Sequence, residues 1–451
     1  MPDPESLPDV LESTRRFADR VLAGLGDRPV AHPPAPVAPE PVPLTGIGFD
    51  AALAAFARRW EPGFSGSAGP RYLGFVTGGA TPAALAGDWL TSTFDQNAVA
   101  GDSSAADLER ETARWLATLL GLGAEHTGTF VTGATMSNFV GLAIGREWLG
   151  EQRGISVASA GVHALGPVHV LSGTPHSTVR KALSMLGIGS SRLVEVALLP
   201  DREAVDPAAL RHALEALSGE PAIVVANAGT VNTVDFDDLR AIAALRTEFP
   251  FWLHVDAAFG GFAALSPEHA HLVDGLAEAD SVCVDLHKWL NVPYDAAIQF
   301  TRRQDLQLAV FQNTGAYLPA PGENPDLFHL TPETSRRLRA LPAWFTLTAY
   351  GAEGHRAIVE RDVAAARALG ARLATTPGFH LLAPVRLNVV CFTPPSDVPA
   401  TARAITASGE TFLTATVHRG VPALRAAFSN WRTTEADVDR VYDAIVAAAD
   451  S

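Results

Sequence analysis

From about residue 105 to residue 301 the sequence alternates helix-patterned stretches with short apolar runs, and this alternation limits the fold more than any other feature. ADLERETARWLATLLGL (106–122) carries apolar residues at helical spacing and stops at glycine. Runs of strand length follow: GTFVT (128–132), VHVLS (168–172), AIVVAN (222–227), FWLHVD (251–256), SVCVD (281–285) and AAIQFT (296–301). Helical stretches lie between several of them, at 137–149, 177–187 and 237–249. Strands alternating with helices predict an α/β fold with a mainly parallel sheet covered on both faces. Ligands of such sheets sit at the carboxyl ends of the strands. Upstream, a helix over 7–25 leads into a proline-rich stretch, PVAHPPAPVAPEPVP (29–43), which reads as an extended linker. Beyond residue 343 a long helical stretch, then LNVVCFTPP and ALRAAFSN, predict a smaller α/β domain.

Composition narrows the function. With 451 residues, 47% of them hydrophobic, the chain can bury a large core in more than one domain. A net charge of −15 argues against nucleic-acid binding, which needs a basic face. Cys283 and Cys391 are the only cysteines, and a lone pair of thiols without CxxC spacing predicts a reducing, cytoplasmic setting. Neither a signal peptide nor an apolar run of membrane-spanning length is visible, so no membrane partner is expected. His269 and His271 lack an acidic third ligand at zinc spacing, so no metal is expected. GLG at 121–123 follows a helix and is no dinucleotide fingerprint.

Four polar sites fall just after predicted strands. In VTGATMSN (131–138) a strand and a Gly133-Ala134-Thr135 turn open a helix near Met136. Its free N–H groups and helix dipole suit an anion, and Thr135 is either an extra donor or an ordinary N-cap. In LHVDAAFGGF (253–262) Asp256 ends an apolar strand, where a carboxylate either caps the next turn or meets a buried cation such as a protonated ring nitrogen. His176 in GTPHSTVRKAL could lie flat on such a ring or simply cap its helix. Lys288 in ADSVCVDLHKWLNVPYD (279–295) follows a strand, where partial desolvation frees an amine as a nucleophile toward a carbonyl. Each signal is weak alone; a sheet that gathers all four makes one site.

These residues resemble the group II decarboxylases dependent on pyridoxal 5′-phosphate (PLP), which include aromatic-L-amino-acid decarboxylase and glutamate decarboxylase. The resemblance runs from about Arg71 to Val446, and HVDAAFGG and DSVCVDLHKW carry most of it. It implies a fold-type I, aspartate-aminotransferase-like enzyme whose large domain holds a mainly parallel seven-stranded sheet. It also implies a homodimer with the active site at the interface. The expected division is an N-terminal arm and dimerisation segment (1–90), a PLP-binding domain (91–342) and a small C-terminal domain (343–451). By the same resemblance Lys288 forms the Schiff base with PLP and His287 is a phosphate-side neighbour. Asp256 meets the pyridine nitrogen, His176 and Ala258 sandwich the ring, and Gly133, Ala134 and Thr135 form the phosphate turn.

Tyr317, in TGAYLPAPGENPD, matches a loop tyrosine that the family places at this distance from the lysine (317 − 288 = 29) and that protonates the substrate carbon after carbon dioxide leaves. Relatives with phenylalanine there tend to make an aldehyde instead. The expected reaction is therefore decarboxylation of an L-amino acid, aromatic slightly favoured, to the amine. An aldehyde-forming enzyme or an aminotransferase is the alternative. The chain departs from the family at Asp285, where a carboxylate would repel phosphate unless it points elsewhere, and at Val231, which leaves Thr230 as the hydroxyl candidate. Arg425 matches an arginine that binds a substrate carboxylate in glutamate decarboxylase, and could equally be a structural partner. Phe75 and Thr77 are expected to line the substrate pocket, with Gln96 and Asn97 in a segment reaching the other subunit's site.

Overall fold

A computed structural model describes residues 6–31, 36–97, 103–313, 322 and 324–450. The chain divides into two compact units. The larger comprises residues 78–364 and 384–389, and the smaller comprises residues up to Thr77, 365–383 and 390 onward. The boundaries expected near 90 and 342 thus fall at 77 and 364, and the N-terminal segment groups with the C-terminal residues instead of forming an arm of its own. Arg71 gives the reason. Buried in the smaller unit, its guanidinium donates to the carbonyls of Gly26 and Glu410 and pairs with Asp437 at 3.2 Å.

The larger unit is built on a seven-stranded sheet: β1 (Thr127–Val131), β2 (His169–Ser172), β3 (Leu193–Glu195), β4 (Ala222–Asn227), β5 (Phe251–Asp256), β6 (Ser281–Val284) and β7 (Ala297–Thr301), in the order β1-β7-β6-β5-β4-β2-β3. β3, β2, β4, β5 and β6 are mutually parallel; β7 runs against both its neighbours, β6 and β1. The carboxyl ends of β1, β2, β4, β5 and β6 therefore share one edge. Every residue of β4 and β5 is buried, as expected of strands covered on both faces.

The helix Ala134–Glu151 lies against this sheet and packs Val140, Ala143 and Ile144 into a core with Val170, Ile223 and Trp252. It approaches so closely that a Cβ at Gly141 would stand 2.6 Å from the His254 ring, and one at Gly145 2.8 Å from the Trp252 ring. Glycine at both positions is what admits those two rings beneath the helix. β6 and β7 form a hairpin whose neck is closed by the N–H groups of Leu286 and His287, both donating to the Ala296 carbonyl at 3.0 Å.

The smaller unit holds a four-stranded sheet in the order β10-β11-β9-β8, from β8 (His380–Leu381), β9 (Val389–Thr393), β10 (Thr414–His418) and β11 (Val421–Ala427). Among the described residues no helix is long and apolar enough to cross a membrane.

Candidate functional site

Four strand ends of the larger unit converge. After β1, the chain enters the helix Ala134–Glu151 with Gly133 as its N-cap. The helix starts two residues before the expected Met136, so Ala134 and Thr135 lie in its first turn and Thr135 is no cap. Amides of a first turn have no carbonyl one turn earlier to bond, which leaves them aimed outward. Beside Gly133 stands the imidazole of His287, whose Cε1 would be 3.4 Å from a Cβ there.

After β5, Asp256 is buried and accepts from the Ala258 amide at 3.1 Å and from Asn138 Nδ2 at 2.9 Å. No cation among the described residues forms a salt bridge with it. A buried carboxylate supplied with neutral donors but no counter-charge fits the protonated ring nitrogen of a pyridine cofactor. After β2, His176 is the N-cap of the helix Ser177–Met185, as its sequence position allowed, and its Nδ1 lies 2.8 Å from Thr178 Oγ1.

After β6 comes a single helical turn, Leu286–Trp289, with Lys288 one-fifth exposed. Its Nζ lies 3.4 Å from Asp285 Oδ2 and 5.4 Å from the Phe259 ring centre. The other Asp285 oxygen is 3.0 Å from His287 Nε2. Asp285 is thus turned toward Lys288 and His287, and the Asp285 amide donates to the Ala258 carbonyl at 2.9 Å. Since His287 Nδ1 accepts from the Ala296 amide, its proton resides on Nε2, the nitrogen facing Asp285. Tyr294 packs on the same imidazole, tilted by 31°, with ring centres 4.1 Å apart. Gly78 packs on the back of the lysine turn, where a Cβ would lie 1.7 Å from the Lys288 carbonyl oxygen.

Other expected residues are placed differently. Thr230, after β4, gives its proton to Glu203 Oε2 at 2.6 Å and accepts from the Asp235 amide. Its hydroxyl is engaged by Glu203, on the loop that follows β3, and by the Asp235 amide. Gln96 bonds the Phe94 carbonyl, and Asn97 accepts from the Arg336 amide. In the smaller unit Phe75 takes a left-handed backbone, φ 57°, costly for an aromatic residue. Two groups hold it there: its N–H donates to Thr414 Oγ1 at 2.7 Å, and its carbonyl accepts from Arg425 Nη2 at 2.6 Å. Arg425 therefore has a structural partner, the second of the two roles foreseen for it. Thr77 is a buried residue of that unit. Tyr317 lies outside the described residues.

Asn138, Thr178, His254 and Ser281, none of them foreseen from the sequence, link up behind Asp256; Asn138, His254 and Ser281 are fully buried and Thr178 is half-buried. One signal was available: Trp252, His254 and Asp256 alternate along β5 and so share a face. Asn138, Gly141 and Gly145 share the helix face that meets it.

A family model described as "Pyridoxal-dependent decarboxylase conserved domain" matches residues 46–394. An aromatic-L-amino-acid decarboxylase of Bacillus atrophaeus is 26% identical, over 84% of this chain and 81% of its own. A 3,4-dihydroxyphenylacetaldehyde synthase of Drosophila melanogaster is 32% identical over 52% of this chain and 48% of its own. In fold, a crystal structure of Oryza sativa TDC with PLP and tryptamine superposes with a TM-score of 0.90 at 23% identity, covering 100% of this chain and 99% of that one.

Proposed function

This chain belongs to the pyridoxal-dependent decarboxylase family and is a PLP-dependent amino-acid decarboxylase, and we propose from that premise that its substrate is an aromatic L-amino acid. The observation that carries the assignment of roles is the meeting of a helix N-terminus, His176, Asp256 and Lys288 at one edge of the sheet. Bound PLP supplies an aldehyde that captures amines and a protonated pyridine ring that accepts the electron pair freed when carbon dioxide departs.

The chain's own residues then divide the work. Lys288 Nζ is the amine that would hold the cofactor's aldehyde carbon. The first-turn amides of Ala134 and Thr135, with Gly133, bind the phosphate, and His287 stands on the same side. Asp256 keeps the proton on the ring nitrogen. His176 and Ala258 would flank the cofactor ring. Tyr317 returns the proton to the substrate α-carbon, which favours an amine over an aldehyde as product. By family resemblance Phe75, Thr77 and Gln96 are the substrate-side candidates. The aromatic preference rests on the Bacillus relative, aligned over most of both chains.

The protein is further proposed to act as a homodimer in the cytoplasm. Both cysteines are free and buried, which suits a reducing compartment.

The test is carbon dioxide release from tryptophan, tyrosine, phenylalanine, 3,4-dihydroxyphenylalanine and glutamate, with mass analysis of the products. An amine from an aromatic substrate is expected, and Lys288→Ala should abolish both turnover and the cofactor's visible absorbance. Aldehyde with ammonia and peroxide would replace this reading by the aldehyde-forming one; release from glutamate alone would overturn the aromatic assignment.

A further inference from the structure

We propose that Asn138 is a positioning residue that joins the Asp256 carboxylate and the His176 imidazole into one hydrogen-bonded unit, with its amide direction set from behind by His254 and Ser281. The inference rests on the cofactor roles given above for Asp256 and His176.

Each proton in the chain can be placed by elimination. The indole N–H of Trp252 can only donate, and it meets Ser281 Oγ at 3.0 Å. Ser281 gives its proton to its other neighbour, His254 Nδ1, at 2.8 Å, because the reverse direction would leave His254 Nε2 without a proton and turn the Asn138 amide oxygen onto the Asp256 carboxylate, which only accepts. With Nδ1 accepting, His254 carries its proton on Nε2, which lies 2.8 Å from Asn138. That contact requires the amide oxygen, so Asn138 Nδ2 faces the opposite way with two protons to give. One goes to Asp256 Oδ2 at 2.9 Å and the other to Thr178 Oγ1 at 3.2 Å. The Thr178 backbone N–H donates to His176 Nδ1 at 3.4 Å, which marks that nitrogen as an acceptor, so it also takes the Thr178 hydroxyl proton at 2.8 Å. His176 is left with its proton on Nε2.

The geometry behind the chain is equally fixed. His254 and Ser281 are register neighbours on β5 and β6, and Gly141 leaves the room in which the His254 ring sits. Burial lowers the His254 pKa to about 4, so the ring stays uncharged and the direction of the chain holds at neutral pH. Asn138, His254 and Ser281 are all fully buried, so water offers no substitute partner. Asn138 serves both neighbours at once, and a side chain that cannot donate twice uncouples them.

The first test needs neither cofactor nor turnover. Nitrogen-15 NMR of the cofactor-free protein, with His176 and His254 assigned through His176→Asn and His254→Asn, should find both rings protonated on Nε2. Finding His254 protonated on Nδ1 would overturn the proposal. The second test uses Asn138→Leu, with Ser281→Ala as a milder variant that removes only the hydroxyl. In Asn138→Leu the His176 tautomer should become mixed, PLP affinity should fall about 10- to 100-fold, and kcat should fall similarly while KM changes less than about threefold, since a buried carboxylate loses a donor. Ser281→Ala should shift the same signals in the same direction by less. A folded Asn138→Leu protein with wild-type cofactor affinity, absorbance and His176 tautomer would sink the coupling. If instead the wild-type protein bound no PLP, the functional reading would fail while the tautomers still decided the hydrogen-bond chain.

Discussion

Lys288 is held by what lies behind it as much as by what faces it. Its carbonyl rests on Gly78 with no room for a methyl group, so Gly78→Ala must displace the turn that carries the amine. The expected result is a loss of about 1–3 kcal/mol in unfolding free energy, the usual range for overpacking, together with weaker PLP binding. Urea denaturation and equilibrium dialysis read the two. Unchanged binding would mean that the turn relaxes without moving Nζ. Asp285 illustrates how a departure from family pattern resolves locally. The concern was repulsion of a phosphate, but the carboxylate faces Lys288 and His287. The His287 tautomer in turn depends on an amide nine residues away in sequence, Ala296, across the neck of the hairpin.

At the scale of elements, the helical segment Ala340–Thr375 carries Asp362, fully buried and hydrogen-bonded to Trp289 Nε1 at 2.7 Å. Burial raises this carboxyl from the ordinary 3.8 to about 8. A carboxyl raised in the folded state favours folding below its ordinary value, and that contribution is lost as pH climbs through the folded value. Wild-type stability should therefore fall relative to Asp362→Asn between about pH 4 and 8, by at most about 1.4 kcal/mol per pH unit. The variant keeps an oxygen for the Trp289 donor and has no proton to lose. Denaturant titrations at pH 5, 7 and 9 would check this; parallel stability profiles would count against it. The elements themselves were legible to different degrees. β4 and β5 fall where continuous apolar runs placed them, because strands buried on both faces announce themselves. β3 was missed: it has three residues, and Val194 is exposed. The helix expected over 237–249 spans only Leu239–Ala244 before tightening into a 3-10 turn. In the site, Lys288, Asp256 and His176 were readable because each stands at the end of a strand. Asn138 was not, since its role exists only once a helix face and a strand face are brought together.

For the whole molecule, the N-terminal helices raise the question of assembly. Leu7–Ala23 and Phe49–Arg59 contain no buried residue, and Leu7, Leu11, Leu44 and Ile47 are more than half exposed. Apolar surface of this kind suits the proposed homodimer. Leu7→Glu with Leu11→Glu should shift sedimentation toward monomer at micromolar protein while leaving the monomer's circular dichroism intact. A dimer unaffected by both charges would remove this helix from the interface. The hairpin between β6 and β7 has a separate consequence. The lysine-bearing loop leaves the sheet and re-enters it at the same edge, tied at its neck by two amides on one carbonyl. Residues between Val284 and Ala297 return to the sheet without routing a helix across it, so a different reactive loop transplanted here has to keep the neck and the outside contacts to Gly78, Ala258 and Asp362.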